Sequence, residues 1–586
     1  MPGITAVESP PAPDVLDEVL ETICFTDDYA REDFLLADEL VVAATGYEQY
    51  PVDVFETDDC TIVLEGHLYG TDDVEAAVTE AASYVREGQT EQLSSWLAER
   101  DAEFLLTVAD RETGSLWALN DAFGRLPTYR ATIGDTTVVT RELKAVRKLA
   151  RTLDDGLEPN RLALGQQLLF GYPLGTRSLY EGVEHLPPGS LLEVETGEIT
   201  SLHEFRFDSH ANADRSVRAN ALRLRDRFVE ACENRASVGD ETIVSLSGGL
   251  DSRAVIAGYN RVDCQLYAAT SARADGGNTA EVNVARQVAD ALNVPWSSYI
   301  ADRTEHHQSF LLEATQGMNN LGMSIGLDFA EQVAERHENA VFVTGDGGDK
   351  AIPDLTPSRE VTTTDDLVEA LLDGQQLFTP EEVADIVDVT VEDLVGSVHE
   401  RVASYPETTL EAKHVHFLVR ERGVNWLNHG EDRTRHYLWS TTPFYALPFF
   451  EEAMACPPEQ KRGNDLYREF LSGLSPTVVG IDYVDFGAPI DSLEFRIKQY
   501  GYNWLTNHPK LKSRVTSLLK QNGNGTDERP VHALAEAVRT SSELDQYFSE
   551  EAINRVAWSG GAHTSQHRYV LYTAIAALTN DEIEAA

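Results

Sequence analysis

Residues 242–252 read TIVSLSGGLDS, a β-branched run that breaks into a small, glycine-paired loop and continues into the helix-like SRAVIAGY. Strand, small loop and helix start in that order make an anion cradle. Ser247, Gly248 and Gly249 leave room for backbone N–H groups to face the anion, and the helix N-terminus adds roughly half a positive charge. Asp251 follows where a carboxylate would bind a magnesium ion carried by phosphates. A lone SGG also occurs in ordinary turns; the full SGGLDS after an apolar strand is more specific. The loop lacks the G-x-x-x-x-G-K-[ST] spacing and no lysine follows it, so it is not a Walker loop. A second cradle follows AVFV (340–343), in the run TGDGGD from Thr344 to Asp349. Taken alone, GDGGD also reads as an acidic surface turn. At the carboxyl end of a parallel strand, where open α/β sheets bind ligands, Asp346 and Asp349 would complete a metal site with Asp251.

The elements that must hold these loops are legible around them. From about 22 to 210 the chain shows many short β-type runs, among them LVVAATGY, CTIVLEGHLYG, AEFLLTVADR and TTVVTRE, with helical stretches near 72–87 and 142–152. Their turn spacing suits strands and hairpins. From about 215 strands alternate with amphipathic helices such as TAEVNVARQVADALNV, which implies a parallel sheet. From 360 to 586 the chain reads as mostly helical, interrupted by the Gly/Asn-rich run NGNGTDERP at 522–530. The Pro-rich start predicts a flexible leader over 1–20, followed by one domain over 21–212 and another over 213–586.

With 98 acidic against 47 basic residues the chain carries a formal charge of −51. The acid is dispersed through periodic segments, which argues for a folded surface rather than a disordered tail. Dispersed acid with few lysines suits a salt-rich cytosol, where screening relieves self-repulsion. It argues against nucleic acid as a partner. Five scattered cysteines suggest neither a disulfide framework nor a zinc site. His306 and His307 lack a third partner at ligand spacing and read as solvated or structural. No apolar run reaches membrane-spanning length and no signal peptide is evident, so a cytoplasmic protein without a membrane partner is expected.

SGGLDS resembles the pyrophosphate loop of the N-type ATP pyrophosphatases, and its pairing with TGDGGD resembles the asparagine synthetase family. Two further stretches carry that resemblance. NDAFGRLPTYR (120–130) is similar to the R-D-R-F-G-x-K-P-L-Y-Y segment of class II glutamine amidotransferase domains, and FGYPLGTRSLYEGVEHLPPGSLLEV (170–194) to the run that leads into the synthetase half. The resemblance implies an Ntn-hydrolase-like β-sandwich domain, then a parallel-sheet PP-loop ATPase domain with a helical C-terminal part. It implies ATP and Mg as cofactors and a small carboxylate with an amine or ammonia as partners, and it is compatible with a homodimer. By motif position Leu246, Ser247, Gly248, Gly249, Asp251, Ser252, Thr270, Thr344 and Gly345 would bind ATP. Asp251 and Asp349 would hold the metal.

The sequence also departs from that family. Its glutaminases use an N-terminal cysteine; here position 2 is Pro2 and the first cysteine is Cys24. The arginine motif R-H-R-G-P-D is absent. The glutamine-binding turn N-G-E-I-Y-N becomes Glu65-Gly66-His67-Leu68-Tyr69-Gly70, leaving Gly66 and Asp101 as the remnants of that site. A domain inactive toward glutamine is expected, with Cys24 a half-buried structural thiol. In the second half Lys350 replaces the family's Glu, and Asn464 stands where a pyrophosphate-binding lysine is usual. Lys350 and Lys461 are the candidate catalytic cations beside Asp251 and Asp349; alternatively, both are solvated surface charges. The expected function is an ATP-dependent amide ligase that adenylates a carboxylate, aspartate among the candidates, releases AMP and pyrophosphate, and uses ammonia or an amine. A β-lactam-synthetase-like intramolecular ligase and a non-catalytic ATP-binding or assembly protein are the alternatives.

Overall fold

The computed structural model of the chain describes residues 2–36, 39–506, 538–541, 544–558 and 563–584. The first domain is a sandwich of two six-stranded antiparallel sheets. The first sheet contains β1 (Gly3–Glu8), β2 (Ala30–Leu36) and β3 (Leu40–Gly46). The second contains β4 (Val52–Glu56), β5 (Cys60–Tyr69), β6 (Asp101–Asp110) and β7 (Leu116–Asn120). The chain then returns to the first sheet with β8 (Tyr129–Ile133), β9 (Thr136–Thr140) and β10 (Val183–His185), and closes the second with β11 (Ser190–Glu193) and β12 (Ile199–Ser201).

Apolar side chains of both sheets meet in one core, Ile4, Val42 and Val139 on one side and Val63, Leu105 and Ala118 on the other. Helices cover the outer faces. Leu16, Val146, Leu149 and Leu164 bury the first sheet, and Val78, Ala81, Leu93 and Trp96 the second. A strand buried on both faces reads as a nearly continuous apolar run, as β3 does.

The expected flexible leader over 1–20 is corrected here. Gly3–Glu8 is a strand inside the first sheet, paired with β3 from Gly3↔Thr45 to Glu8↔Leu40 and with β9 from Thr5↔Thr140 to Glu8↔Thr137. Pro13–Glu21 is a helix started by its proline and packed on the same sheet. The six residues GITAVE bury both faces and so show no alternation, and the prolines that suggested mobility mark the turn into the helix instead.

In the second domain β13 (Glu241–Ser245), β14 (Leu266–Arg273), β15 (Trp296–Ala301), β16 (Ala340–Val343) and β17 (Ser440–Thr441) form a parallel sheet in the order β15-β14-β13-β16-β17. Helices Val217–Ala236, Leu250–Tyr259 and Thr279–Leu292 pack on one face through Phe228, Val255 and Val288. Helix Ile325–Ala334 covers the other through Phe329 and Val333. The chain runs one way from β13 through β14 to β15 and the other way to β16 and β17, so the sheet reverses direction between β13 and β16. That is where an open sheet leaves a crevice at its carboxyl edge.

Beyond 360 the described residues are mainly helical, with Thr364–Gln375, Leu410–Arg422 and Asp465–Leu474 among the longer elements. The loop expected at 522–530 lies outside the described residues. Among the described residues no helix is long and apolar enough to cross a membrane. All five cysteines are free thiols, Cys24 half-buried with its thiol 3.9 Å from the Leu20 carbonyl.

Candidate functional site

The two glycine-rich loops stand side by side. β13 pairs with β16 in parallel, Val244 opposite Val343, so the turns after Ser245 and after Val343 leave the same edge of the sheet. Ser247 shapes the first loop: its backbone N–H donates to Ser252 Oγ at 3.0 Å, and its own Oγ accepts from Gly249 N at 3.1 Å. Gly249 caps the Leu250–Tyr259 helix, with Asp251 in the first turn where an acid is favoured by the helix dipole. Arg253 ties the loop to the chain behind it, donating to Gly248 O at 3.4 Å and to the carbonyls of Val478, Ile481 and Asp482.

Leu246 and Thr270 are both buried at the strand ends. Thr270 Oγ1 donates to Leu246 O at 2.7 Å and accepts from Trp296 Nε1 at 2.8 Å, which fixes the spacing between β13 and β14.

The second loop folds directly over the first. A Cβ built on Gly345 would meet Ser252 N at 2.7 Å, and one on Gly348 would meet Asp251 Cγ at 2.5 Å. Gly347 has φ +85° and lies against the Tyr445 ring. Thr344 continues β16, its N–H donating to Thr441 O at 2.9 Å and its hydroxyl to Glu431 Oε1 at 2.6 Å.

Asp251, Asp346 and Asp349 therefore gather in a half-buried crevice. Burial pushes the Asp251 carboxyl up to about 7, and Asp349 and Asp346 add repulsion against the pull of Tyr467 and Lys350. Burial likewise raises Asp346 to about 7, with Glu431 adding to it. Mutual repulsion of this kind is what a bound dication relieves, so the donor set fits Mg.

The structure brings together Ser247, Gly248, Gly249, Asp251, Ser252, Thr344, Gly345 and Asp349 at one sheet edge. The two lysines are not solvated: each is 7% exposed. Lys350 Nζ pairs with Asp349 Oδ2 at 2.7 Å. Lys461 Nζ donates to Ala351 O at 3.2 Å, beneath the second loop, and burial pulls its ammonium down to about 8. Sequence reasoning missed Tyr467, whose hydroxyl donates to Asp251 Oδ1 at 2.7 Å from three residues beyond Asn464.

Sequence reasoning also missed a cavity of about 100 Å³ next to Asp346, lined by Met318, Asn319, Trp426, His429 and Arg433. Its wall includes the π-helical turn Gly423–Asn428, a geometry that recurs at functional sites. Asn425 Oδ1, both His429 ring nitrogens and Arg433 Nε are buried there without a hydrogen-bond partner. Burial holds His429 neutral, down to about 3, and lowers Arg433 to about 10 against the attraction of Asp346.

Glu65, Gly66 and Asp101, the positions expected to be remnants of a glutamine site, are engaged within the chain. Glu65 accepts from Ile4 N at 2.9 Å, from Tyr50 Oη at 2.5 Å and from Arg141 Nε at 2.8 Å. Asp101 is held bidentately by Arg235 of the second domain at 2.7 and 2.8 Å, and Gly66 packs on the Glu103 carbonyl. Away from both sites, His307 lies buried between Thr304 and Glu331, and ligand atoms of His307, Glu331 and Asp328 lie within 4.8 Å of one another.

Residues 41–206 match the glutamine amidotransferase domain family and residues 223–352 match asparagine synthase. In that order the two matches are the amidotransferase and synthetase domains of the asparagine synthetase family. The second match spans both strand-end loops, and it makes this half an ATP-dependent amide ligase domain of the asparagine synthetase type. No curated protein sequence matches the chain. Among solved structures, an allosteric regulatory enzyme of purine biosynthesis is similar at 11% identity and TM-score 0.24, over 63% of this chain and 77% of that one. The glutamine phosphoribosylpyrophosphate amidotransferase of B. subtilis, complexed with ADP and GMP, is similar at 11% identity and TM-score 0.23, over 60% of this chain and 82% of that one.

Proposed function

We propose that this chain binds Mg–ATP between its two strand-end loops and adenylates a small carboxylate. The observation that carries this reading is the contact of Asp251 with Gly348, which presses one loop onto the other and gathers three carboxylates beside two phosphate-sized turns. The loop amides and the start of the Leu250–Tyr259 helix face the triphosphate. Asp251 and Asp349 would hold the metal, whose charge would offset that of the leaving pyrophosphate. Lys350, paired with Asp349 at 2.7 Å, would supply a positive charge at the second loop. The acceptor carboxylate enters the cavity beside Asp346, where Arg433 and the neutral His429 and Asn425 offer unpaired donors and acceptors.

The amine or ammonia comes from solution. Glutamine is not the source, because the Glu65 carboxylate and its three donors fill the space beside Ile4, and Asp101 is committed to Arg235. Incubation with ATP, ammonium and a panel of small carboxylates at molar potassium chloride tests the reading. AMP and pyrophosphate should appear with one carboxylate and not without it. ADP and phosphate as the products would overturn the adenylation step.

A further inference from the structure

Arg125 belongs to the first domain, on the turn after β7, and is wholly buried. Its guanidinium reaches three places in the second domain. One Nη donates to Asn428 Oδ1, the other to Glu431 Oε2, and the flat face lies 4.5 Å from the Tyr445 ring centroid. Each of these partners touches the ligase site. Asn428 ends the π-helical turn that walls the cavity beside Asp346. Glu431 uses its second oxygen to accept the Thr344 hydroxyl, which itself accepts from Asp346 N at 3.2 Å. Tyr445 packs on Gly347, the left-handed residue at the centre of the second loop. The contact is reciprocal: the Asn428 amide donates to Phe123 O at 3.0 Å and Gly124 O at 2.8 Å, and Arg435 Nη1 donates to Arg125 O at 2.8 Å.

We propose that Arg125 is a positioning residue for the ligase reaction, setting the Thr344–Asp349 loop through Glu431 and Tyr445. The inference rests on the ligase reading above. It gives the first domain a task that needs no glutamine: it braces the second acidic loop. A guanidinium suits the place because two acceptors and a ring face lie around one plane, an arrangement an ammonium cannot satisfy. Without it the buried Glu431 beside Asp346 keeps only the more distant Arg435, with Nη2 3.6 Å from Oε2, as a countercharge, and its bond to Thr344 loses its fixed orientation.

The test compares the parent with Arg125→Gln, Arg125→Lys and Thr344→Val, measuring carboxylate-dependent ATP–pyrophosphate exchange and amide hydrogen exchange across 344–349. Arg125→Gln should lower kcat on the order of 100-fold, with the KM for ATP within a few-fold, because loop geometry is lost and the phosphate cradle after β13 is not. Arg125→Lys should not restore the rate. The double variant Arg125→Met with Glu431→Gln removes both charges together and should recover at least part of it. Amides 344–349 should exchange faster in Arg125→Gln. Thr344→Val should lower kcat as well, because Thr344 also belongs to the nucleotide-binding set. If Arg125→Gln does not fold, amide exchange across 344–349 in the Arg125→Met/Glu431→Gln double variant decides the matter, parental protection there overturning the proposal. A folded Arg125→Gln with parental kcat and parental protection overturns the proposal. A parent without exchange on any carboxylate overturns the ligase reading instead, and amide protection at 344–349 then decides the brace alone.

Discussion

Asp251 and Gly348 lie in direct contact, close enough that a Cβ on Gly348 would stand 2.5 Å from the Asp251 carboxyl carbon and 2.6 Å from Oδ1. The residue between Gly347 and Asp349 therefore has no room for a side chain, and the two loops cannot separate without moving a proposed metal ligand. Gly348→Ala should reduce carboxylate-dependent turnover by on the order of 100-fold and cost about 1–3 kcal/mol of stability, the usual range for overpacking. Steady-state kinetics and thermal melts read both. A variant with parental turnover would show that the loops part during the reaction.

The raised Asp251 and Asp346 carboxyls set a pH dependence for the metal-free protein. Their folded pKa of about 7 lies above the ordinary aspartate value, so the folded chain binds more protons than the unfolded one between about pH 4 and 7. Stability should fall as pH rises through that window. Asp251→Asn should flatten the fall, and Mg should oppose it above pH 7. Melting curves in chelator from pH 5 to 8 check this; a melting temperature that climbs across the window in the parent would contradict it.

Glutamine should not be hydrolysed, with or without ATP, because Pro2 stands where the nucleophilic cysteine is needed and Glu65 is committed to Ile4, Tyr50 and Arg141. Glutamate release above the buffer rate, blocked by a thiol-directed glutamine analogue at Cys24, would reinstate a working site.

Salt should stabilise the fold. With 98 carboxylates against 47 cations, screening shortens from about 10 Å at 0.1 M to about 3 Å at 1 M, which removes repulsion between surface carboxylates. The melting temperature should rise toward molar potassium chloride. An unchanged midpoint would count against adaptation to a salt-rich cytosol.

Much of this site was legible because it is local. SGGLDS and TGDGGD each carry strand end, turn and acid within a few residues, and the alternation of strands with helices was enough to place both at one sheet edge. Tyr467 and Arg125 were not legible: their partners lie 216 and 306 residues away, and no periodicity marks which distant side chain will close on a loop. For Lys350 and Lys461 the choice between catalytic cation and solvated surface charge stayed open for a similar reason. Their burial comes from segments far along the chain, as in the Ala351 carbonyl that receives Lys461. GITAVE was misread because a strand buried on both faces has no alternation to announce it.

The central claim, adenylation of a carboxylate at the paired loops, is tested most directly by exchange of labelled pyrophosphate into ATP at molar potassium chloride. The parent should catalyse exchange that depends on both magnesium and one carboxylate of the panel. Asp251→Ala and Asp349→Ala should each abolish it. Exchange that persists in the double variant, or none in a parent shown by calorimetry to bind Mg–ATP, would contradict the account.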